Sequence, residues 1–197
     1  MNLPNKLTVT RVLLIPLLVI IYMFPYNTLG IHIPVYHLAN TSISLINIII
    51  LVIFIVASIT DYFDGQIARR EKMITTFGQF ADPIADKLLV NTIFLLLASD
   101  QRVSIIVPII MISRDTIVDA IRLVAANKQI VIAARKLGKL KTATQMVSLC
   151  AVLLCNFPFS YFSIPVDQIL VWIACAISII SGIDYFIQNR EMLTESM

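Results

Sequence analysis

Long apolar stretches divide this chain into segments that a lipid bilayer could accommodate as helices. Hydrophobic residues make up 58% of the 197 residues and charged residues only 14%, and the mean hydropathy is +0.88. A bilayer core requires about 20 mostly apolar residues per helix. This composition excludes an ordinary water-soluble protein. We therefore predict an all-α integral membrane protein, with one domain over residues 1–197.

Six stretches are candidates for transmembrane helices. They run from about Leu7 to Phe24, Ser42 through Ile59 into an aspartate-rich segment, Phe80 to Ser99, Val103 to Ala126, Thr142 to Asn156 and Asp167 to Ile187. The third and fourth stretches are the weakest on hydropathy because they contain several charged residues. We expect these charges to line a polar cavity or to protrude from the hydrocarbon core.

The positions of lysine and arginine predict how the six helices are oriented. Basic residues lie near the N-terminus (Lys6 and Arg11), in the second and fourth connections and in the tail, whereas the first, third and fifth connections contain only Arg102. Because cytoplasmic loops carry an excess of Lys and Arg, both termini are predicted to be cytoplasmic. The segment from Pro25 to Thr41 is then an external loop, and Lys128 to Lys141 is a basic cytoplasmic connection. This orientation predicts a multi-pass protein of the cell membrane whose polar cavity is on the cytoplasmic side.

Four aspartates interrupt the apolar pattern at the junction of the second and third helices. The segment DYFDGQIARREKMITTFGQFADPIADK contains Asp61 and Asp64, three residues apart, and Asp82 and Asp86, four residues apart. On a helix, each pair shares one face, and antiparallel neighbours would bring the two pairs together. Carboxylates in or beside a membrane span are costly and indicate a functional site. Since hard oxygen ligands suit Mg²⁺, Mn²⁺ or Ca²⁺, the pattern predicts a site for two divalent ions.

The residues between the aspartates favour a ligand that carries phosphate. Gly65 and Gly78 lack side chains, so a ligand or another backbone can approach closely. Arg69 supplies a planar fork suited to phosphate oxygens. A metal-bound diphosphate fits this combination better than a bare cation does. Two other classes stay open on these residues alone: a divalent-cation channel or transporter with the aspartates along the ion path, and a membrane prenyltransferase, which would typically need more spans.

The same residues resemble the signature of the CDP-alcohol phosphotransferases. Eight signature positions within residues 61–86 are filled at the family's spacing: Asp61, Asp64, Gly65, Ala68, Arg69, Gly78, Asp82 and Asp86. The segments NLPNKLTVTR, SRDTIVDAIRLVAA and ARKLGKLKT are similar to the bacterial branch that uses glycerol 3-phosphate as the acceptor. Asp115 and Asp119 depart from that branch, which more often has glutamate and a small residue at these positions.

This resemblance implies a reaction, a cofactor and a set of residue roles. CDP-diacylglycerol would donate its phosphatidyl group to sn-glycerol 3-phosphate, with Mg²⁺ or Mn²⁺ as the cofactor and CMP as the leaving group. The metal ligands would be Asp61, Asp64, Asp82 and Asp86, and Asp86 would also be the general base. The donor would contact Asp61, Asp64, Gly65, Ala68, Arg69 and Gly78, with Pro4, Asn5 and Thr8 beside the nucleotide. The resemblance also implies a homodimer in contact with membrane lipids, and no nucleic-acid partner is expected.

Basic residues of the fourth and fifth helices are candidates for binding the acceptor phosphate, which is dianionic. The candidates are Arg114, Arg122, Lys136, Lys139 and Lys141. Arg114 and Arg122 are eight residues apart and share one helix face. For Arg114 the alternative is a structural ion pair with Asp115 or Asp119, and for the lysines it is charge that sets the topology. Serine, inositol phosphate or phosphatidylglycerol stays open as a different acceptor.

Overall fold

The computed structural model describes residues 3–38, 40–70, 76–130, 132 and 135–194, with the side chains at 3–6, 62–70, 76, 77, 79, 80, 193 and 194 outside the description. The described part is mostly helical. Its helices are α1 (Leu3–Met23), α2 (Leu45–Arg70), α3 (Thr76–Ser99), α4 (Ile106–Asn127), α5 (Lys136–Leu153) and α6 (Val166–Thr194). A 3₁₀ turn, Phe159–Phe162, precedes α6.

The six predicted stretches correspond to these six helices, and the largest differences lie at two helix ends. Helix α5 begins at Lys136 rather than near Thr142, so the prediction that Lys128 to Lys141 is only a connection was wrong for its last part. Lys and Leu are good helix formers, and the helix therefore starts before the apolar run does. Helix α6 likewise continues to Thr194, beyond the apolar run that ends near Ile187.

The connection between α1 and α2 contains a small β-hairpin that the sequence analysis treated as part of a loop. Strand β1 (Val35–Leu38) pairs antiparallel with β2 (Thr41–Ser44), and Leu38 lies opposite Thr41. Thr41 also donates a hydrogen bond of 2.9 Å to the carbonyl oxygen of Cys155. The hairpin therefore contacts the connection between α5 and α6, and both lie at the same end of the helix bundle.

Helix α3 lies at the centre of the bundle, where it contacts α1, α2, α4 and α5. Helix α6 packs mainly on α4 and α5, and α1 packs on α2 and α3. Buried side chains from all six helices form the core, among them Phe54 of α2, Phe94 of α3, Met111 of α4 and Leu149 of α5. The charged residues in its first half contact neighbouring helices: Asp82 and Asp86 bond to residues of α1, and Lys87 pairs with Asp119 of α4.

By length and composition, one helix in the described ranges could cross a bilayer by itself. This stretch is Val166–Met192, with 27 residues and a mean hydropathy of 2.0. Leu7–Met23 and Leu45–Asp61 are apolar but shorter. Helices α3, α4 and α5 contain the charged residues of the predicted sites, which lowers their hydropathy. The prediction of six transmembrane spans therefore stays a prediction.

Candidate active site

Aspartates from α2 and α3 meet at a cation supplied by α1. The Nη1 atom of Arg11 donates hydrogen bonds to Oδ1 of Asp61 at 2.7 Å and to Oδ1 of Asp86 at 2.8 Å. The hydroxyl of Thr8 donates to Oδ1 of Asp82 at 2.5 Å. Thr8 and Arg11 are three residues apart, so they lie on one face of α1. That face therefore contacts three of the four aspartates predicted to bind metal.

The burial of these groups shows which side of the cluster is open. The side chain of Arg11 is only 3% exposed, whereas those of Asp61 and Asp86 are 36% and 40% exposed. Arg11 therefore lies behind the two carboxylates, against the core. Both carboxylates also line a cavity, and Arg11 is not among the described residues that line it.

The remaining predicted donor-site residues are described only in part. Asp64, Gly65, Ala68 and Arg69 belong to α2, and Pro4 and Asn5 belong to α1. Their surroundings lie outside the described part, so their predicted roles stay predictions. Gly78 is buried in α3. Thr8, predicted to lie beside a nucleotide, is buried and bonded to the carboxylate of Asp82.

The donor chemistry of this cluster fits a hard divalent cation. Two carboxylate oxygens from different helices approach the same nitrogen atom, so the helices already hold negative charge around one point. Among the described side chains, no group of three or more Asp, Glu, His or Cys residues is arranged to hold a metal ion. The fourth predicted ligand, Asp64, is not among those side chains. The metal site thus stays a prediction that the oxygen-rich donor set fits.

A cavity of about 340 Å³ extends from Asp61 and Asp86 into the space between α3, α4, α5 and α6. This volume is in the range of small-molecule binding sites. Six cationic side chains line it: Lys87, Arg114, Arg122, Arg135, Lys139 and Lys141. The carboxylates that line it are Asp61, Asp86 and Asp115. The cavity therefore has an acidic end at the aspartates of α2 and α3 and a predominantly basic end between α4, α5 and α6, which suits anionic ligands.

A buried ion cluster forms one wall of the basic end. The ammonium of Lys141 donates to both carboxylate oxygens of Asp115 at 2.7 Å, and Arg114 Nη1 donates to Asp115 Oδ1 at 3.0 Å. Arg114 Nη2 donates to the hydroxyl of Ser181 at 2.6 Å. Arg114 therefore does form the ion pair considered as its alternative, with Asp115. One carboxylate shared by two cations leaves the cluster with a net positive charge.

The other basic residues have different partners. Asp119, the second candidate partner of Arg114, is paired instead with Lys87. Arg122 donates to the hydroxyl of Tyr185 at 3.2 Å and lies 5.7 Å from the centre of its ring. The side chain of Lys136 is exposed, and Lys136 is not among the described residues that line the cavity. Four of the five predicted acceptor residues thus come together, and Lys136 does not.

Comparison with known proteins identifies the family. Residues 1–180 match the family of CDP-alcohol phosphatidyltransferases. The chain belongs to this family. A CDP-diacylglycerol–glycerol-3-phosphate 3-phosphatidyltransferase of Bacillus subtilis (strain 168) is 39% identical over 200 residues, which cover 99% of this chain and 98% of the relative. Proteins of the same name from Rickettsia typhi and Haemophilus influenzae are 36% and 35% identical, over 94% and 93% of this chain and 95% and 91% of their own length.

The family resemblance predicted from the aspartate signature is therefore confirmed. The sequence analysis nevertheless missed several residues in the candidate site of this CDP-alcohol phosphatidyltransferase. Arg11 was interpreted only as a charge that sets topology. Its position inside the first apolar stretch was the available signal, because a cation there needs a partner. Arg135 lines the cavity and pairs with Asp184 at 2.6 Å. Ser181 had no signal in the sequence, because its role depends on the packing of α6 against α4.

Proposed function

We propose that this protein transfers the phosphatidyl group of CDP-diacylglycerol to sn-glycerol 3-phosphate, giving phosphatidylglycerophosphate and CMP. The observation that carries this proposal is the single cavity that joins Asp61 and Asp86 to the basic residues of α4 and α5. Its acidic end suits a metal-bound diphosphate, and its basic end suits a second phosphate. Relatives that carry the name of this enzyme align with nearly the whole chain, which supports the same reaction.

The aspartates would act at the donor end of the cavity. Asp61, Asp64, Asp82 and Asp86 would hold two ions of Mg²⁺ or Mn²⁺. Such ions neutralise a diphosphate and stabilise its leaving group. Asp86 lines the cavity and is partly open to it, so its carboxylate is available to take a proton from an acceptor hydroxyl. Arg69 would contact the diphosphate, while Gly65, Ala68 and Gly78 would leave room for the nucleotide, with Pro4, Asn5 and Thr8 beside it.

The reaction would be a direct displacement at phosphorus. The acceptor hydroxyl oxygen bonds to the phosphorus that carries the diacylglycerol, and the bond from that phosphorus to CMP breaks. The hydroxyl proton passes to Asp86. Residues 61–86 contain no serine, cysteine or histidine, so none of these three nucleophiles lies within the signature to form a covalent intermediate.

The basic end of the cavity would bind the phosphate of the acceptor. Arg114 and Lys141 share one carboxylate, that of Asp115, while Arg122 and Lys139 have no ion pair with a described carboxylate. This excess of positive charge suits a dianionic phosphate. An acceptor without net charge, such as serine, would leave the excess charge uncompensated, so the basic end favours an acceptor that carries a phosphate. Among such acceptors, the names of the relatives favour glycerol 3-phosphate.

The outer surface of the bundle supports a multi-pass arrangement in the membrane. Every helix has large apolar side chains exposed on its outside, including Leu13, Ile20, Val52, Leu88, Ile109, Val147 and Ile180. Exposed apolar surface of this extent is typical of contact with lipid or a partner. We propose six spans with the cavity and both termini on the cytoplasmic side, where most of the basic residues lie. A homodimer belongs to the same proposal and depends on the family resemblance.

The deciding experiment is an assay of CMP release by the purified protein with CDP-diacylglycerol and Mg²⁺, in which candidate acceptors are added one at a time. We expect CMP release only when glycerol 3-phosphate is the added acceptor. Release with serine, inositol phosphate or phosphatidylglycerol instead would keep the donor site but contradict the assignment of the basic end. No release with any acceptor, from protein shown to be folded, would contradict the enzyme proposal and favour cation transport.

A further inference from the structure

Arg11 is a charged residue in the first apolar helix, where a cation needs compensation. Its guanidinium is almost fully buried, and Leu18 on the same helix belongs to the bundle core. A charge inside a membrane protein is costly unless it is paired. The compensation comes from Asp61 and Asp86, which are 50 and 75 residues away in the chain.

The two oxygens of each carboxylate have different surroundings, because Arg11 contacts only one of them. Arg11 approaches from the core and uses Oδ1 of both Asp61 and Asp86. The second oxygen of each carboxylate is not engaged by Arg11, and both side chains are open to the cavity. A cation that holds one oxygen of each group from behind fixes the direction in which the other oxygen points.

We propose that Arg11 is a positioning residue for the divalent-metal site: it holds Asp61 and Asp86 together from the core side, so that their other oxygens face the cavity. This inference rests on the proposed function, because it concerns the same metal site. Residues that hydrogen-bond to metal-ligating carboxylates orient those ligands, and their loss typically weakens metal affinity or activity about 10–100-fold.

A neighbouring contact supports this role for the buried face of α1. The hydroxyl of Thr8, one helical turn before Arg11, holds Oδ1 of Asp82 in the same manner. The face of α1 thus supplies a donor to each of the three described aspartates of the site. A purely topological role for Arg11 would require neither its burial nor its two bonds.

The competing explanation is that Arg11 occupies the position of the metal and must be displaced by it. The two explanations predict changes of opposite sign. A residue that orients the ligands strengthens metal binding, so its removal weakens the binding. A residue that competes for the ligands weakens metal binding, so its removal strengthens the binding.

The test is the affinity of the purified full-length protein for Mn²⁺ in detergent and without substrate, measured from the electron paramagnetic resonance signal of free Mn²⁺. We expect Arg11→Gln to lower the affinity about 10–100-fold. Arg11→Lys keeps the charge but has a shorter arm and no planar fork, so it should give an intermediate affinity. Arg102→Gln is the matched control, since it removes one arginine at the opposite end of the bundle, where Arg102 binds the carbonyl of Val152. Its Mn²⁺ affinity should equal that of the wild type.

An unchanged or higher affinity in either folded Arg11 variant would overturn the positioning role, and a higher affinity would identify Arg11 as a competitor. If Arg11→Gln does not fold, Arg11→Lys decides the question by itself. No Mn²⁺ binding by the wild-type protein would overturn the metal site together with the role of Arg11. Wild-type binding and CMP release, combined with an unaffected Arg11 variant, would overturn the role of Arg11 alone.

Discussion

Gly182 of α6 lies directly against the side chain of Arg114: a β-carbon at position 182 would be 2.9 Å from Arg114 Cγ. Atoms at that distance would clash, so Arg114 can lie across α6 only because residue 182 has no side chain. The adjacent residue, Ser181, accepts a hydrogen bond from Arg114. Two consecutive residues of α6 thus determine where this guanidinium lies in the cavity.

Gly182→Ala should displace Arg114 and weaken acceptor binding. Hydrogen bonds to charged groups contribute about 1.5–3 kcal/mol, so we expect the KM for glycerol 3-phosphate to rise roughly tenfold or more. The KM for CDP-diacylglycerol should change little, because the aspartates are at the other end of the cavity. Steady-state kinetics with each substrate varied in turn would measure this. Arg114→Ala is the reference for full loss of the Arg114 contact, and Ile183→Ala, at an exposed neighbouring position, is the control. Equal changes in the KM values for both substrates would contradict the assignment of Arg114 to the acceptor site.

Asp115→Ala should destabilise the protein strongly. Asp115 and Lys141 are both buried and paired at 2.7 Å, and removal of one partner leaves an uncompensated charge. Such losses typically cost about 3–5 kcal/mol. A thermal unfolding curve in detergent should therefore show a Tm well below that of the wild type. Asp115→Glu retains a carboxylate and should recover most of the loss, whereas equal Tm values for Asp115→Ala and the wild type would show that the cluster is dispensable.

Lys139→Ala should weaken acceptor binding, whereas Lys136→Ala should not. Both residues lie in the first turn of α5, but Lys139 lines the cavity and Lys136 does not. The pair is therefore a matched comparison of two lysines with the same helix and the same charge. The measurement is the KM for glycerol 3-phosphate. If both variants change it equally, the lysines contribute through general charge rather than through the cavity.

Asp86→Asn should abolish turnover while much of the donor binding is kept. Loss of a general base typically lowers the rate about 10²–10⁴-fold, and the amide can still accept a hydrogen bond from Arg11. Asp61→Asn should reduce metal and donor binding together. CMP release and equilibrium binding of CDP-diacylglycerol separate the two effects. Asp100→Asn, at the other end of the bundle beside Tyr22, is the control and should keep full activity. Full activity in Asp86→Asn would rule out Asp86 as the general base.

Removal of divalent metal with EDTA should abolish CMP release, and added Mg²⁺ or Mn²⁺ should restore it. The physical reason is that a diphosphate cannot be held against several carboxylates without intervening cations. Activity that persists in EDTA, in protein freed of metal by dialysis, would contradict the metal site. The same titration would also show which of the two ions is preferred.

The helices and the aspartate signature could be predicted from the sequence because both are local patterns. Apolar stretches located all six helices, and the spacing of Asp61, Asp64, Asp82 and Asp86 identified the family. The start of α5 was missed because Lys136, Lys139 and Lys141 lower the hydropathy of its first residues, although these residues are helical. A helix boundary depends on backbone propensity and capping, whereas an apolar run reports only burial in lipid or protein.

The long-range pairs could not be predicted. Arg11 meets aspartates 50 and 75 residues away, and Lys141 meets Asp115 across 26 residues. The position of Arg11 inside an apolar stretch indicates that it needs a partner, but the local sequence does not indicate which residues supply it. The choice depends on which helices become neighbours, and that is decided by the packing of the whole bundle.

The cavity is built from two groups of helices, since α1 packs on α2 and α3 whereas α6 packs on α4 and α5. The acidic end belongs to the first group and most of the basic end to the second. Substitutions in α4 to α6 could therefore change the alcohol that is accepted without disturbing the donor half. In an evolving lineage, this separation would let new head-group chemistry arise while the activated lipid remained the same.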